Sequence, residues 1–399
     1  MAERVPRPIL LLGACTLASS AGASLMWPLV TLYVHNQLHQ SLAAAGLVLM
    51  LQSLAGVVGQ MAGGLLYDRI GGKLPLVAAM AACAAICALL AETSAWWPYI
   101  ALMTLFGLAN GIAQAPTNAL VAAIWPGGGR SGFNVLYVAN NIGVALGAAA
   151  GGVLAERSFA LTFGGAAAGY AIYTVVVALA LRPPAHRPAM AVDGGGRLLR
   201  GAGPRTLALL GVGLILANAA YAQWQSAVAV YLTTNGFSTA AYSVLWTLNG
   251  GLVVAFQPAA TRIARRLKRL EQQLVLATAF YALGFAALFF GHWYVAFVVG
   301  MAAMTAGEVF ERPASPALMA AIAPPGQAGA YQGLVGTFLS GGRMVGPLVG
   351  GLVYDAAGPT ALWAAAIAAC AIAAGSYSRL VGRETAASPP AAMTGDGPA

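Results

Sequence analysis

The chain has 399 residues, a formal net charge of +9 and only 8% charged residues, against about 25% in a typical soluble domain. No Asp, Glu, Lys or Arg occurs between Arg7 and Asp68, or between Arg205 and Arg262. Because a water-facing surface needs charge, these stretches exclude a soluble protein and, despite the basic balance, a nucleic-acid-binding one. They indicate a polytopic membrane protein.

Apolar segments follow one another along the whole chain, each long enough or nearly so to span a bilayer as a helix. We therefore predict an all-α fold of twelve spans. In chain order they are Ile9–Val34, Leu42–Tyr67, Leu74–Ala91, Trp97–Trp125, Phe133–Ala155, Leu161–Leu181, Leu207–Tyr231, Ala240–Ile263, Gln273–Phe290, Trp293–Ile322, Tyr331–Tyr354 and Thr360–Leu380.

The basic residues predict the orientation of these spans. With the N-terminus inside, every Lys and Arg falls in an inner segment except Arg157, in an outer loop, and Arg312 and Arg343, within spans. Positively charged loops stay in the cytoplasm. We therefore expect a multi-pass membrane protein with both termini cytoplasmic and its basic rim near anionic lipid headgroups. The richness in Ala, Gly and Arg indicates a bacterial protein, and hence the inner (plasma) membrane.

A polar stretch divides the chain near its middle. Residues 183–205 are rich in proline, glycine and arginine, a composition typical of a flexible cytoplasmic linker. The predicted units are an N-terminal six-helix bundle over residues 1–182, this linker, a C-terminal six-helix bundle over residues 206–382 and a disordered tail over residues 383–399.

The two halves repeat each other in sequence. Helix 5 carries the pattern G-x-x-x-G-x-x-x-G-G over residues 143–152, and helix 11 carries it over residues 342–351, at an offset of 199. The ends of helices 4 and 10, residues 118–126 and 316–324, match at an offset of 198. An internal six-helix repeat is typical of a transporter whose halves rock about a central site.

The segment after helix 2 resembles the signature of the major facilitator superfamily, G-x-x-x-D-R-x-G-R-[KR]. The matching residues are Gly64, Asp68, Arg69, Gly71 and Lys73, while position 72 is Gly where Arg is usual. A carboxylate at the inner end of a helix can cap a neighbouring helix and pair with arginines. We predict that these residues form an inner gate; a basic loop with a glycine turn is the alternative. The resemblance implies two six-helix bundles.

The glycine pattern of helices 5 and 11 resembles an element of the drug/proton antiporters of that family. Helix 11 keeps Gly346-Pro347, whereas helix 5 has Ala148 where proline is expected. The helix 4 arginine of that group is absent too, and Asn110 occupies the region. Close packing of helices is the alternative role of these glycines.

Charged residues within helix 10 form the strongest chemical signal of the chain. Charges inside a bilayer are costly unless they are paired or hydrated. The run from Gly307 to Pro313 resembles the G-E-x-x-x-x-P helix of proton-coupled multidrug exporters, whose Glu carries a proton. We therefore expect protons to enter through Glu308, with Glu311 as a second candidate carrier, and we expect Arg312 and, at similar depth on helix 11, Arg343 to belong to the same proton-coupling site. Arg312, four residues after Glu308, is near enough to pair with it, but we expect Arg343 to be the partner of Glu308. The alternative to proton coupling is a structural Glu308–Arg343 or Glu311–Arg312 ion pair that never titrates.

Polar and aromatic residues within the spans predict a central substrate cavity. Amides and aromatic rings with little fixed charge suit amphipathic or lipophilic solutes, although each could instead form an interhelical hydrogen bond. The predicted lining residues are Ser24, Trp27, Asn110, Gln114, Tyr137, Asn141, Asn218, Tyr221, Trp224, Gln225, Trp246 and Asn249.

These patterns together predict a secondary active transporter rather than an enzyme. No Walker A sequence, catalytic triad or zinc-binding spacing appears, so we expect neither a cofactor nor a metal. The leading hypothesis is proton-coupled export of lipophilic or amphipathic compounds by alternating access, with a small-molecule substrate, protons and membrane lipids as partners of a monomer. The alternatives are a substrate-specific carrier of a metabolite, sugar or lipid, and a transporter-like sensor that moves nothing.

Overall fold

A computed structural model describes residues 5–125, 130–182, 203–267, 269–322 and 328–381. At positions 68, 122, 130–134, 320, 328–333 and 381 it describes the backbone alone. The predicted linker thus lies outside the described residues apart from its last three positions, 203–205, and the predicted tail lies outside them entirely. Throughout the described ranges, the regular secondary structure consists of helices.

Twelve helices, α1 to α12, follow one another in the described residues, and they correspond one to one to the predicted spans. The last two are joined into one element that Gly358 divides by its left-handed φ of 79°. The elements are α1 Arg7–Gln37, α2 Leu42–Ile70, α3 Lys73–Glu92, α4 Trp96–Ile124, α5 Arg130–Arg157, α6 Phe159–Ala180, α7 Pro204–Thr234, α8 Thr239–Arg266, α9 Leu270–Phe290, α10 Tyr294–Ile322 and α11 with α12 Ala328–Val381.

Length and composition make ten of these described elements able to cross a membrane, with α11 and α12 counted together. Helix α4 falls outside that set because Asn110, Gln114 and Asn118 lower its hydropathy. The prediction of an all-α polytopic membrane protein is confirmed.

The first helix of each half is irregular at matching places. Helix α1 changes at Trp27–Leu29 to a 3-10 turn, where Pro28 lacks an N–H, and ends as a π-helix at Tyr33–Gln37. Helix α7 is interrupted after Ala222 by a turn and resumes at Ala227–Thr234. These breaks interrupt regular helix near the same end of both halves.

Two large apolar clusters form the interior. One is built from residues between Ile9 and Leu181. The other is built mainly from residues between Leu210 and Leu380, with a few side chains of the first half, such as Leu29 and Leu42. Each cluster therefore belongs chiefly to one half of the chain, and the halves share apolar contacts over a limited area.

Contacts between the halves concentrate at one end of the bundle. We call the end that carries Arg7, Arg69 and Arg205 the inner end, and the opposite one the outer end. At the outer end α2 packs on α11 and α5 packs on α8; a Cβ at Gly46 would clash with the backbone of Leu348. Toward the inner end of α2, by contrast, the side chains of Met61 and Leu65 are 70% and 62% exposed. The halves are thus closed outside and separated inside.

Candidate functional site

A polar cavity of about 440 Å³ lies in the first half, between α1, α4 and α5. Its wall on α1 consists of Thr16, Ser19, Ser20, Ser24 and Trp27. These positions recur every three or four residues, so one face of an otherwise apolar helix carries the hydroxyl groups. The same spacing on α4 brings Asn110, Gln114, Thr117 and Asn118 to the opposite wall. The lining is therefore polar but carries no formal charge.

Of the predicted lining residues in this half, Ser24, Trp27, Asn110, Gln114 and Tyr137 line the cavity. Asn141 is the exception, since it is exposed and its amide donates to the Tyr137 carbonyl, 2.8 Å away on its own helix. The hydroxyls of Thr16, Ser19 and Thr117 were missing from the prediction. Their helical spacing to Ser20, Ser24 and Asn110 was the signal that could have identified them.

The outer side of the cavity is closed by residues of both halves. The indole rings of Trp27 and Trp246 meet edge to face, with centroids 5.2 Å apart. One turn further out, the Thr31 hydroxyl donates to the Gln225 carbonyl at 3.3 Å. The predicted cavity residues Trp27, Gln225 and Trp246 therefore meet at the outer closure of the site.

In the second half, Glu308 lies on α10, is partly exposed and is ion-paired within its own helix. Arg312 contacts it at 3.1 Å; the side chain of Glu308 is 14% exposed and that of Arg312 is 46% exposed. The Tyr221 hydroxyl and the Asn249 amide each donate to its second oxygen at 3.1 Å. The guanidinium of Arg312 also lies 5.9 Å from the centre of the Tyr221 ring. Glu308 thus has a cation and two neutral donors.

Glu311, one turn along α10, has a different environment. It is 4% exposed, and its oxygens accept from the Asn218 amide at 2.7 Å and the Tyr281 hydroxyl at 2.6 Å. Tyr281 can approach because a glycine stands at position 307, where a Cβ would lie 2.5 Å from the tyrosine ring. Among the described side chains, no cation contacts Glu311. The two carboxylates of α10 therefore differ in burial and in charge partner.

The expected pairing of Arg343 with Glu308 is wrong for the described side chains. The Nε of Arg343 donates to the Leu339 carbonyl of its own helix at 3.4 Å, and no described carboxylate pairs with it. Arg312 takes its place at Glu308 because it lies four residues along the same helix, the distance at which helical side chains meet. Arg343 remains close enough to interact electrostatically with Arg312 and both glutamates.

Trp224 does not line the site, contrary to prediction. It is 1% exposed and packs in the core of the second half, where its ring lies 6.4 Å from that of Phe285. Asn218, Tyr221 and Asn249, by contrast, bind the two carboxylates directly. The sequence reasoning missed Tyr281 on α9 and Thr305, which accepts from Asn249 at 2.9 Å. A tyrosine within an apolar helix needs a polar partner, and that need was the available signal.

Comparison with known proteins agrees with this architecture. The family model for the Major Facilitator Superfamily matches residues 12–292 and 271–396. The chain belongs to the major facilitator superfamily. It is therefore a multi-pass membrane transporter of small molecules, and its two-bundle fold is that of the family.

Relatives within the superfamily span nearly the whole chain. An uncharacterized MFS-type transporter of Bacillus subtilis, YttB, is 36% identical over 364 residues, which cover 90% of this chain and 91% of that protein. The multidrug resistance protein MdtH of Aeromonas hydrophila is 25% identical over 343 residues, 84% of each chain.

Solved structures of the superfamily share the fold. A variant of the nucleoside transporter NupG superimposes with a TM-score of 0.80 at 13% identity, covering 94% of this chain and 99% of that one. The peptide transporter POT in complex with sulfate gives 0.79 at 16% identity, covering 95% of each chain. At this identity the likeness concerns the fold alone.

The superfamily signature forms the inner corner between α2 and α3. Gly71 ends α2 with a φ of 78°, which only glycine adopts easily, and Lys73 begins α3. A side chain at position 72 would meet Leu120 of α4, so the Gly that replaces the family's usual Arg is closely packed. Gly64 faces open space and Arg69 is exposed. The side chain of Asp68 lies outside the described part of the structure.

Proposed function

We propose that the chain is a secondary active transporter that exports lipophilic or amphipathic compounds in exchange for protons, by alternating access. The observation that carries the proposal is the pair of unlike carboxylates on α10. Glu308 is partly exposed and ion-paired, whereas Glu311 is buried among neutral donors. The uncharged, partly aromatic lining of the cavity and the distant similarity to a multidrug resistance protein support the substrate class.

Glu311 is our candidate for the proton carrier. Protonating it breaks no ion pair with a described cation, whereas protonating Glu308 would break the pair with Arg312. An amphipathic cation that reaches the second half can instead compete with the partly exposed Arg312 for Glu308. The two sites communicate through Tyr221 and Tyr281, which bind Glu308 and Glu311 respectively and whose ring centres are 5.8 Å apart. Substrate binding can therefore alter the hydrogen bonding of the proton carrier.

Reconstituted vesicles test this division of roles. With an imposed pH gradient and ethidium as substrate, Glu311→Gln should abolish uphill transport while ethidium counterflow, which needs no proton, persists. Glu308→Gln should weaken ethidium binding and thereby slow both reactions. Glu271→Gln, a buried carboxylate of the same half at the start of α9, is the matched control and should retain both. Uphill transport at the wild-type rate by Glu311→Gln would refute the assignment.

We place the transporter as a monomer in a bacterial plasma membrane with both termini cytoplasmic, since the basic residues lie at the inner end. The halves, residues 1–182 and 206–382, move relative to one another, and residues 183–205 connect them. Asp68 and Arg69, with Gly64, Gly71 and Lys73, close the inner end in the alternate conformation. Anionic lipid headgroups contact the basic rim.

A substrate-specific carrier is the second candidate, and Arg343 is the observation that favours it. A guanidinium at mid-depth with no described carboxylate partner can bind an anionic group of a solute. The dye assay separates the two candidates, because a specific carrier leaves ethidium unmoved in the wild-type protein. Retention of ethidium transport in Arg343→Gln would further weaken the anion-binding role.

A further inference from the structure

Carboxylates of one half bind the helix N-termini of the other half at the outer end. Asp355, at the outer end of α11, accepts from the backbone N–H groups of Leu42 and Ala43 at 3.2 and 2.8 Å. These are the first residues of α2. The third N–H of that turn, from Ala44, donates to the hydroxyl of Ser41, the residue just before α2, at 3.1 Å. The serine and the carboxylate thus share the free donors of one helix start.

The same arrangement occurs between α5 and α8. Glu156, at the outer end of α5, accepts from the N–H of Ala240 in the first turn of α8 at 3.0 Å. Ser238 binds the next N–H, that of Ala241, at 3.1 Å. Glu156 and Asp355 stand at the same offset of 199 as the glycine patterns that precede them. The internal repeat therefore places an acidic residue at both crossings between the halves.

Both carboxylates lie beside the closest approaches of the two halves. A Cβ at Gly351 would clash with the Leu42 backbone, and one at Gly152 would clash with Ser243. Small residues bring the helix starts within hydrogen-bonding distance of the acidic side chains. Because each bond joins one half to the other, it must break whenever the outer ends separate, and the freed N–H groups can then bind water.

We propose that Asp355 and Glu156 form the outer gate of the transporter. We call their two contacts with the starts of α2 and α8 the outer caps. A negative charge at a helix N-terminus is favoured by the helix dipole, so the outer caps stabilise the conformation that is closed outside over the one that is open outside. This role concerns conformation alone and is independent of the proton carrier and of the substrate.

Thiol labelling from the outer side measures the gate. In cells, Asn110→Cys in the cavity should react slowly with an impermeant maleimide, because the outer end is closed. Adding Asp355→Ala or Glu156→Ala should raise that rate roughly two- to fivefold each, and the double substitution should raise it further. Ser94→Cys, exposed in the loop after α3, is the positive control and should react rapidly with the reagent from the outer side. The native cysteines are buried and provide a low background.

Two controls distinguish gating from loss of stability. Ser41→Ala removes the cap that α2 supplies to itself and should lower the melting temperature without raising the labelling rate. Glu92→Ala removes an exposed outer carboxylate at the end of α3 and should change neither. Asp355→Asn, which preserves shape, replaces Asp355→Ala if that variant does not fold. Unchanged labelling in the double variant, or an equal rise in Ser41→Ala, would overturn the proposal.

Discussion

Glu308 and Glu311 lie one helical turn apart on α10, yet their neighbours make them chemically different. Glu308 is partly exposed and pairs with Arg312 on the next turn of the helix, whereas Glu311 points between α7 and α9. The hydroxyl of Tyr281, at 2.6 Å, is the shorter of the two contacts to Glu311. At the scale of single residues, the proposed proton carrier is therefore bound by a tyrosine that belongs to a helix outside the cavity.

Tyr281→Phe removes this donor without changing the shape of the side chain. A buried hydrogen bond to a charged group contributes about 1–3 kcal/mol, so we expect a stability loss of that order together with impaired uphill transport. Thermal unfolding and vesicle transport measure the two effects. Tyr242→Phe is the control, because its hydroxyl donates to the Trp224 carbonyl at 2.9 Å, away from Glu311. Equal transport in the two variants would contradict the role of Tyr281.

At the scale of helices, glycine decides which elements approach closely enough to share polar side chains. Gly307 brings α10 against α9, and Gly342 and Gly346 bring α11 against α7. Without these contacts, the donors from α7 and α9 could not reach Glu311. The glycine patterns of the sequence thus act as helix–helix contacts at the site, the alternative that sequence analysis left open.

Gly307→Ala tests the contact between α9 and α10. The added Cβ would lie 2.5 Å from the Tyr281 ring and 2.7 Å from the Ala277 carbonyl, so the helices must move apart; overpacking of this kind typically costs about 1–3 kcal/mol. Gly251→Ala, in α8 with nothing near its Cβ, should be neutral or stabilising by about 0.5–1 kcal/mol. Thermal unfolding of both proteins is the measurement. A Gly307→Ala protein as stable as Gly251→Ala would show that the two helices are not in tight contact.

At the scale of the whole molecule, the described contacts between the halves lie at the outer end. The outer ends are joined by the Trp27–Trp246 contact, the Thr31–Gln225 hydrogen bond and the outer caps. Toward the inner end the side chains of α2 and α8 are exposed; position 254 is 74% exposed. The proposed alternating access requires the opposite arrangement as well, in which the outer contacts separate and the inner ends meet.

Crosslinking between the halves tests this alternation. Thr31→Cys and Gln225→Cys, at positions that are in contact at the outer closure, should form a disulfide on mild oxidation of the resting protein and should arrest transport. The inner pair Val138→Cys and Gln257→Cys, chosen from the antiparallel register of α5 and α8, should react slowly at rest and faster during turnover. Faster crosslinking of the inner pair at rest would mean that the resting protein is closed inside instead.

Much of this protein could be predicted from local sequence. The absence of charge and the span lengths predict the number and type of helices, and the placement of Lys and Arg predicts their orientation. Each of these depends on the interaction of one segment with lipid or water. The internal repeat, the signature around Gly71 and the charges of α10 could also be read directly, since each is a pattern of neighbouring residues. These features sufficed for the fold class and for the region of the site.

Only the tertiary structure decided how those residues are used. It paired Glu308 with Arg312 rather than Arg343, bound Glu311 to Tyr281 of another helix, and buried Trp224 in the core. It also joined Asp355 to the start of α2, more than three hundred residues away in sequence. The Glu308–Arg312 pair lies within one helix, at a spacing of four residues that allows contact. The other contacts depend on the rotation and separation of packed helices, which the periodicity of a single helix does not determine. The sequence by itself therefore specified the parts of a transporter, and packing specified which of them meet.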